Sequence, residues 1–71
     1  MRWFEQQRIN YIAETLRRLG YINREHLIRK FGISTPQASH DLTVFQRINP
    51  NAIKYDRSAK RYIALNKGKA K

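Results

Sequence analysis

Apolar residues recur every three or four positions between residues 3 and 19, which predicts an amphipathic helix. The positions that follow this spacing are Ile9, Ile12, Ala13, Leu16 and Leu19. Gly20 comes next, and glycine readily adopts the left-handed conformation that ends many helices. Arg17 and Arg18 precede it, and their charge suits the C-terminal end of a helix dipole. A first helix is therefore predicted for residues 3–19.

A second, shorter helix is predicted for residues 24–31. Asn23 can cap its N-terminus, and Gly32 can end it in the left-handed conformation. The residues predicted to face the core are Leu27, Ile28 and Phe31. Residues 21 and 22, between the two helices, are β-prone and could add a short third strand to a hairpin.

A third helix is predicted for residues 35–48. Ser34 followed by Gln37 matches the capping box S-x-x-Q, and Pro36 fits a first turn, where its missing amide would have no partner. Pro50 prevents the helix from continuing. Two helices that are separated by a tight Gly-Ile-Ser turn are typical of a helix-turn-helix.

After Pro50 the apolar period changes from about 3.6 residues to about 2, which indicates strands. Strands are predicted at 52–55 and 61–65, joined by a loop at 56–60. The pattern leaves open which face of the second strand points inward. The fold class is therefore α+β: a winged helix-turn-helix, with three helices followed by a β-hairpin wing. We expect one domain over residues 1–65 and a basic, flexible tail over 66–71.

The third helix has an unusual outer face for a basic protein, because it carries compact polar groups in place of Lys and Glu. Its inward stripe is Ala38, Leu42 and Phe45. Short donors and acceptors suit the major groove of DNA, where base edges offer hydrogen bonds and thymine methyl groups. The candidate recognition positions are Ser34, Thr35, Gln37, Ser39, His40, Thr43 and Arg47. Asp41, beside the stripe, is expected to orient a nearby cation or backbone amide.

The wing loop carries cations around small residues, and such a loop can reach phosphates or a narrow minor groove. Lys and Arg also protect edge strands from aggregation, so the charge alone leaves both interpretations open. Asp56 is predicted to shape the turn. The positions assigned to the wing and to backbone contacts are Asn23, Arg24, Tyr55, Arg57, Ser58, Lys60 and Arg61.

The net charge of the sequence favours a polyanion as the binding partner. Fifteen Lys and Arg against five Asp and Glu leave a charge of +10 on 71 residues. Nucleic acid is the first candidate partner and an anionic membrane surface the second, although a basic charge can also serve solubility alone. The sequence has no bilayer-spanning run and no helix that combines a basic face with a strongly apolar one, so we expect no membrane association.

Catalysis and metal binding have little support in the sequence. The five acidic residues show no spacing typical of an acid–base pair, and there is no cysteine. His26 and His40 belong to different predicted helices, and His26 is interpreted as a surface residue. We therefore expect no enzyme, no cofactor and no metal.

Aromatic residues widen the apolar arc of the first helix. They could cover the wing or the rest of the core, or they could form a partner surface. The candidate dimer surface is Trp3, Phe4, Gln7 and Tyr11.

Two segments in order resemble a known family: "INREHLIRKFGISTPQASHDLTVFQ" and "IKYDRSAKRYIAL". They are similar to the N-terminal winged helix of WYL-domain transcriptional regulators, above all to the group that represses bacterial anti-phage defence operons. In that group the motifs S-x-P-Q-A-S-x-D-L and Y-D-x-S-x-K-x-Y recur, and the resemblance covers about residues 8–65. DeoR-type domains are more distantly similar. Their usual Thr and paired Arg are replaced here by Gln37, Ser39 and His40, so their DNA preference does not carry over.

The absence of cysteines and of an apolar leader leads us to expect a cytoplasmic, nucleoid-associated protein. The resemblance implies a DNA-binding repressor that acts as a homodimer on a palindromic or repeated operator. It implies recognition positions at Thr35, Gln37, Ser39, His40 and Thr43, with wing positions at Arg57, Ser58 and Lys60. Such regulators continue into a WYL domain that is proposed to sense a ligand, whereas no small-molecule site is expected within this sequence. Two alternatives stay open: a winged helix that binds structured RNA, and one that binds an acidic protein.

Overall fold

Three helices and a small antiparallel sheet make up residues 2–65, the part of the chain that the computed structural model describes. In chain order the elements are α1 (Trp3–Leu19), β1 (Tyr21–Ile22), α2 (Arg24–Phe31), α3 (Thr35–Ile48), β2 (Ile53–Asp56) and β3 (Arg61–Ala64). The α+β winged helix-turn-helix architecture is confirmed, and so are the bounds of all three helices. The predicted strands were wrong by one residue at some ends. The predicted basic tail, 66–71, lies outside the described residues.

Glycine ends α1 and α2 as the sequence predicted. Gly20 and Gly32 both have left-handed backbones, with φ of 85° and 67°. Each donates its amide to a carbonyl four residues earlier, Leu16 and Ile28 respectively, at 2.8 Å. A Cβ on Gly32 would meet nothing within 4 Å, so the requirement for glycine there is the positive φ and not lack of space.

One apolar core joins all the elements. Its buried members are Ile9, Ile12, Leu16, Ile22, Leu27, Ala38, Leu42, Phe45 and Ile53. Leu19 was predicted to face the core, but it is 45% exposed, whereas Thr15 is fully buried. Helical spacing gives the direction of a side chain around the axis but not how far along the axis the neighbouring elements extend. This explains why the last residue of α1 escapes burial.

The sheet has the order β1–β3–β2, with both pairings antiparallel. Tyr55 lies opposite Tyr62, and Ile53 lies opposite Ala64. Ile53 is buried, and Tyr62 and Ala64 pack partly against the core, so these residues share the face towards the helices. The register thereby settles which face of β3 is inward, and it confirms that residues 21 and 22 supply a third strand.

A buried ion pair joins the first helix to the third. Arg8 donates from Nε to Asp41 Oδ2 at 2.6 Å, and the Asp41 side chain is only 1% exposed. The expectation that Asp41 orients a nearby cation is confirmed. The pair therefore adds a polar link between α1 and α3 to the core contacts that already join these helices.

Replacing Leu42 by Ala is expected to destabilise the domain by about 2–5 kcal/mol, because it leaves a cavity where the three helices meet the sheet. A domain this small has little more stability than that to lose. Chemical denaturation followed by circular dichroism measures the loss. Thr43→Ala, on the exposed side of the same helix, is the control and should change stability by less than about 0.5 kcal/mol. Equal stability of the Leu42 variant and wild type would contradict the assigned core.

Candidate nucleic-acid interface

The outer face of α3 is accessible along its whole length. Ala38, Leu42 and Phe45 are buried against the other elements, which turns the opposite side of the helix to solvent. Five of the predicted recognition positions are exposed: Ser34, Thr35, His40, Thr43 and Arg47. Gln37 and Ser39 are half-buried on the flanks of this face. The recognition positions therefore occupy one continuous polar surface.

The N-terminus of α3 is capped differently from the predicted capping box. Ser34 Oγ accepts a hydrogen bond from the Gln37 amide at 3.2 Å, which confirms the cap. The Gln37 side chain does not return to Ser34; its Nε2 donates to Asp41 Oδ1 at 2.9 Å. The Asp41 carboxylate is a stronger hydrogen-bond acceptor than a neutral group. It lies one turn after Gln37 in α3, and Arg8 holds it in place.

The start of α2 forms a reciprocal cap that the sequence analysis missed. Asn23 Oδ1 accepts from the His26 amide at 3.3 Å, and His26 Nδ1 accepts from the Asn23 amide at 3.0 Å. The interpretation of His26 as a simple surface residue was therefore wrong. The signal was present as N-x-x-H, with His taking the place that Glu or Gln usually holds in a capping box. Asn23, a predicted backbone-contact residue, has its side-chain oxygen engaged in this cap.

The tip of the wing is a tight turn built on Asp56. Its Oδ1 accepts hydrogen bonds from the amides of Ser58 and Ala59 at 3.0 and 3.3 Å, which confirms the predicted role. Lys60 closes the turn with a left-handed backbone, φ 57°. The side chains of Arg57, Ser58 and Lys60 are exposed. The turn thus presents two cations beside a small hydroxyl.

Arg61 differs from the other wing cations. Its guanidinium lies over the Tyr21 ring, 4.2 Å from the centroid, and its Nε is buried without a hydrogen-bond partner among residues 2–65. The residue belongs to the packing of β3 against β1 more than to the wing tip. The sequence could not show this, because Tyr21 and Arg61 are brought together only by strand pairing.

A concavity of about 380 Å³ separates the wing from the helix-turn-helix. It is lined by Asn23, Arg24, Glu25, Ser39, Leu42, Tyr55, Lys60, Arg61 and Tyr62. The lining combines three cations with one carboxylate, so it is positively charged. It joins predicted recognition, wing and backbone positions in a single depression that opens beside α3.

Tyr62 adds a hydrogen-bond donor to this concavity. Burial raises the pKa of its phenol above the ordinary value; the neighbouring Tyr55 adds to the rise, and Arg24 opposes it. A tyrosine phenol is protonated at neutral pH even without this shift, so the Tyr62 hydroxyl can donate to an anion. Tyr55 and Tyr62 also contact each other edge to face, with ring centroids 5.0 Å apart.

The predicted dimer surface separates into two parts. Trp3 and Phe4 are 66% and 71% exposed, and their rings contact each other edge to face at 5.0 Å. Tyr11 is half-buried against the Phe31 ring at 5.5 Å, with Lys30 Nζ above it at 5.6 Å. Of the two interpretations of these aromatics, Tyr11 thus fits the core, and only Trp3 and Phe4 leave a large aromatic surface in solvent. Gln7 is half-buried.

No group of three or more His, Cys, Asp or Glu residues within residues 2–65 is arranged to hold a metal ion. No helix in the same range is long and apolar enough to cross a membrane.

Comparison with known proteins gives a consistent result. Residues 5–69 match the model of the BrxR transcriptional regulator winged helix-turn-helix domain. The chain is 43% identical over 61 residues to a protein of Escherichia coli (strain KTE188) called DNA-binding transcriptional repressor CapW, covering 86% of this chain and 20% of that protein. Proteins of the same name from Pseudomonas aeruginosa and Stenotrophomonas maltophilia are 41% identical over 69 residues and 39% over 64. These cover 97% and 90% of this chain, and 23% and 21% of the relatives. The chain thus spans about a fifth of the length of the curated relatives that it matches.

Proposed function

This chain belongs to the family of BrxR transcriptional regulator winged helix-turn-helix domains, and from that premise we propose that it binds double-stranded DNA sequence-specifically as the DNA-binding domain of a repressor. Its relatives in three bacterial species are called DNA-binding transcriptional repressors. The regulated genes that we propose are anti-phage defence operons, as the resemblance of its two motifs implies. The protein would act in the cytoplasm, at the nucleoid.

One observation carries the proposal: the exposed polar face of α3 lies beside a cation-bearing wing. His40, Thr43 and Arg47 project from the middle and end of α3, and Thr35 projects from its start. An α-helix fits the major groove, where such side chains meet base donors, acceptors and thymine methyl groups. We propose that α3 enters this groove and reads bases.

The concavity between wing and helices supports a role in holding the phosphate backbone. Arg24 of α2 and Lys60 of the wing both line it, and so do Ser39 and Tyr62, whose side chains carry hydroxyl groups. A phosphate needs positive charge and donors at short range, and this lining offers both. The net charge of +10 adds long-range attraction. Arg57 and Ser58 would contact the backbone or minor groove from the wing tip.

The arrangement of the tyrosines favours duplex DNA over single-stranded RNA. RNA modules commonly stack bases on aromatic rings that are displayed across an open sheet. Here Tyr55 and Tyr62 pack edge to face against each other, and Tyr62 is half-buried on the helix-facing side of the sheet. Only the Tyr55 ring, which is 44% exposed, is open to solvent, and one exposed ring is not the set of stacking platforms that RNA modules display. Structured RNA and an acidic protein therefore remain as comparison ligands for the experiments below.

We also propose that the protein binds a palindromic operator as a homodimer, with Trp3 and Phe4 at the subunit contact. Two adjacent rings that are both mostly exposed are unusual on a small monomer and suit an interface. They lie at the start of α1, and Phe4 borders the recognition face, because it lines one depression together with Gln37 and His40. A dimer formed there would bring the recognition helices of the two subunits close to the subunit contact.

Selection of random duplex DNA by the purified chain at about 150 mM salt should recover a motif. Gln37→Ala and His40→Ala should each relax preference at individual positions, because a direct base contact discriminates by about 1–3 kcal/mol. Affinity for random DNA should change little. Equal losses on selected and random duplex would contradict base reading. The absence of any motif, with tight binding to RNA or to an acidic protein, would transfer the function to that ligand.

Arg57→Ala and Lys60→Ala should weaken binding to all duplex sequences alike. Each lost phosphate contact lowers the slope of log K against log salt by about one unit. Fluorescence anisotropy at four or more salt concentrations measures that slope. Arg18→Ala is the matched control, because it removes the same charge from the exposed end of α1, outside the wing and the concavity. Slopes that fall equally in all three variants would mean that net charge alone acts.

Replacing Trp3 and Phe4 together by Ser should weaken self-association without unfolding the domain, since both side chains are exposed. Sedimentation equilibrium measures the dimer, and circular dichroism checks the fold. Leu65→Ser, at an exposed apolar residue elsewhere, is the control. A dimer should also select inverted half-sites about one helical turn apart. A wild-type monomer that selects a lone half-site would contradict the proposed dimer.

A further inference from the structure

We infer that Asp41, a buried residue that cannot itself reach DNA, determines which base Gln37 recognises. The inference rests on the proposed function and deepens it, because it assigns a specificity-determining role to a residue in the interior. The Asp41 carboxylate would act by fixing the orientation of the Gln37 carboxamide, which selects adenine over guanine in the major groove.

Both oxygens of the Asp41 carboxylate already accept hydrogen bonds from protein side chains. Asp41 Oδ2 accepts from Arg8 Nε at 2.6 Å, and Oδ1 accepts from Gln37 Nε2 at 2.9 Å. The Asp41 side chain is 1% exposed, and that of Arg8 is 16% exposed. Both oxygens therefore face protein donors, and the carboxylate is held between α1 and the first turns of α3.

This contact removes an ambiguity that a free glutamine has. The oxygen and nitrogen of a carboxamide can exchange places by a rotation of the terminal group. An ionised carboxylate accepts only, so Gln37 must turn Nε2 towards Asp41 and Oε1 away from it. The opposite orientation would place two acceptors against each other. Gln37 is thus held in one orientation before DNA arrives.

The groups that remain on Gln37 match one base. One N–H of Nε2 is held by Asp41, which leaves one N–H donor and the Oε1 acceptor for the groove. Adenine presents one acceptor, N7, and one donor, the N6 amino group, on its major-groove edge. Guanine presents two acceptors, N7 and O6, and would need two donors. An oriented Gln37 should therefore prefer adenine.

The deciding variant is Asp41→Asn, which keeps the shape of the side chain. Arg8 has only donors, so the Asn oxygen must face Arg8 and its NH₂ group must face Gln37. Gln37 then turns Oε1 inward and presents two N–H donors to the groove. The preferred base should change from adenine towards guanine at one position of the motif.

Two further variants separate this role from a loss of folding. Arg8→Lys weakens the ion pair but keeps a cation and the Asp41 carboxylate, so it should keep the adenine preference. Arg8→Met combined with Asp41→Leu replaces the pair by apolar side chains, an exchange that often preserves stability. This double variant frees Gln37 to rotate, and it remains usable if Asp41→Asn does not fold.

The experiment is random-duplex selection with wild type and the three variants, with folding checked by circular dichroism. In wild type and Arg8→Lys we expect about tenfold preference for adenine at one position, which is the discrimination that one good bidentate contact provides. Both Asp41 variants should lose this preference. Affinity for random duplex should be unchanged.

An adenine preference that persists in folded Asp41 variants would overturn the inference and leave the proposed function intact. An equal loss in Arg8→Lys would reduce Asp41 to a structural role and overturn it too. A wild-type protein that selects no motif would overturn both.

Discussion

The burial of Ala38, Leu42 and Phe45 against the rest of the core is the constraint on which the structure depends. These residues form the buried apolar stripe of α3, whose opposite side is mostly polar, so burial of the stripe sets how the helix is rotated about its axis. Once the stripe is buried, the recognition positions must face outward together. The arrangement of this polar face is therefore a consequence of core packing, and the energy that folds the domain also positions the side chains that we propose contact DNA.

Polar contacts refine what the apolar core sets approximately. The Arg8–Asp41 pair and the Gln37 amide join α1 to the start of α3, and the Asn23–His26 cap fixes the start of α2. Asp56 does the same for the turn of the wing. Each of these groups orients a side chain or amide next to the proposed interface. Orientation before binding lowers the cost of ordering side chains on DNA.

Residues that act on their immediate neighbours explain why so much of the fold could be predicted from the sequence. Gly20, Gly32, Ser34 and Pro50 act on their own neighbours, through a positive φ, a cap or a missing amide. Such effects need no knowledge of distant contacts, and the helix bounds that they predicted were confirmed. The expectation for Leu19 failed because burial at a helix end depends on which other elements reach it.

The sequence by itself determined the three helices, the hairpin, the inward stripe of α3 and the family to which the chain belongs. Tertiary structure decided which residues meet across the chain. Only pairing of β1 with β3 places Arg61 over Tyr21, and only the packing of α1 on α3 brings Arg8 to Asp41. The concavity beside the wing likewise needs α2, α3 and the hairpin at once. Propensity, capping and turn chemistry act over a few residues, whereas these contacts join residues far apart in sequence, and their partners are chosen by the shape of the whole core.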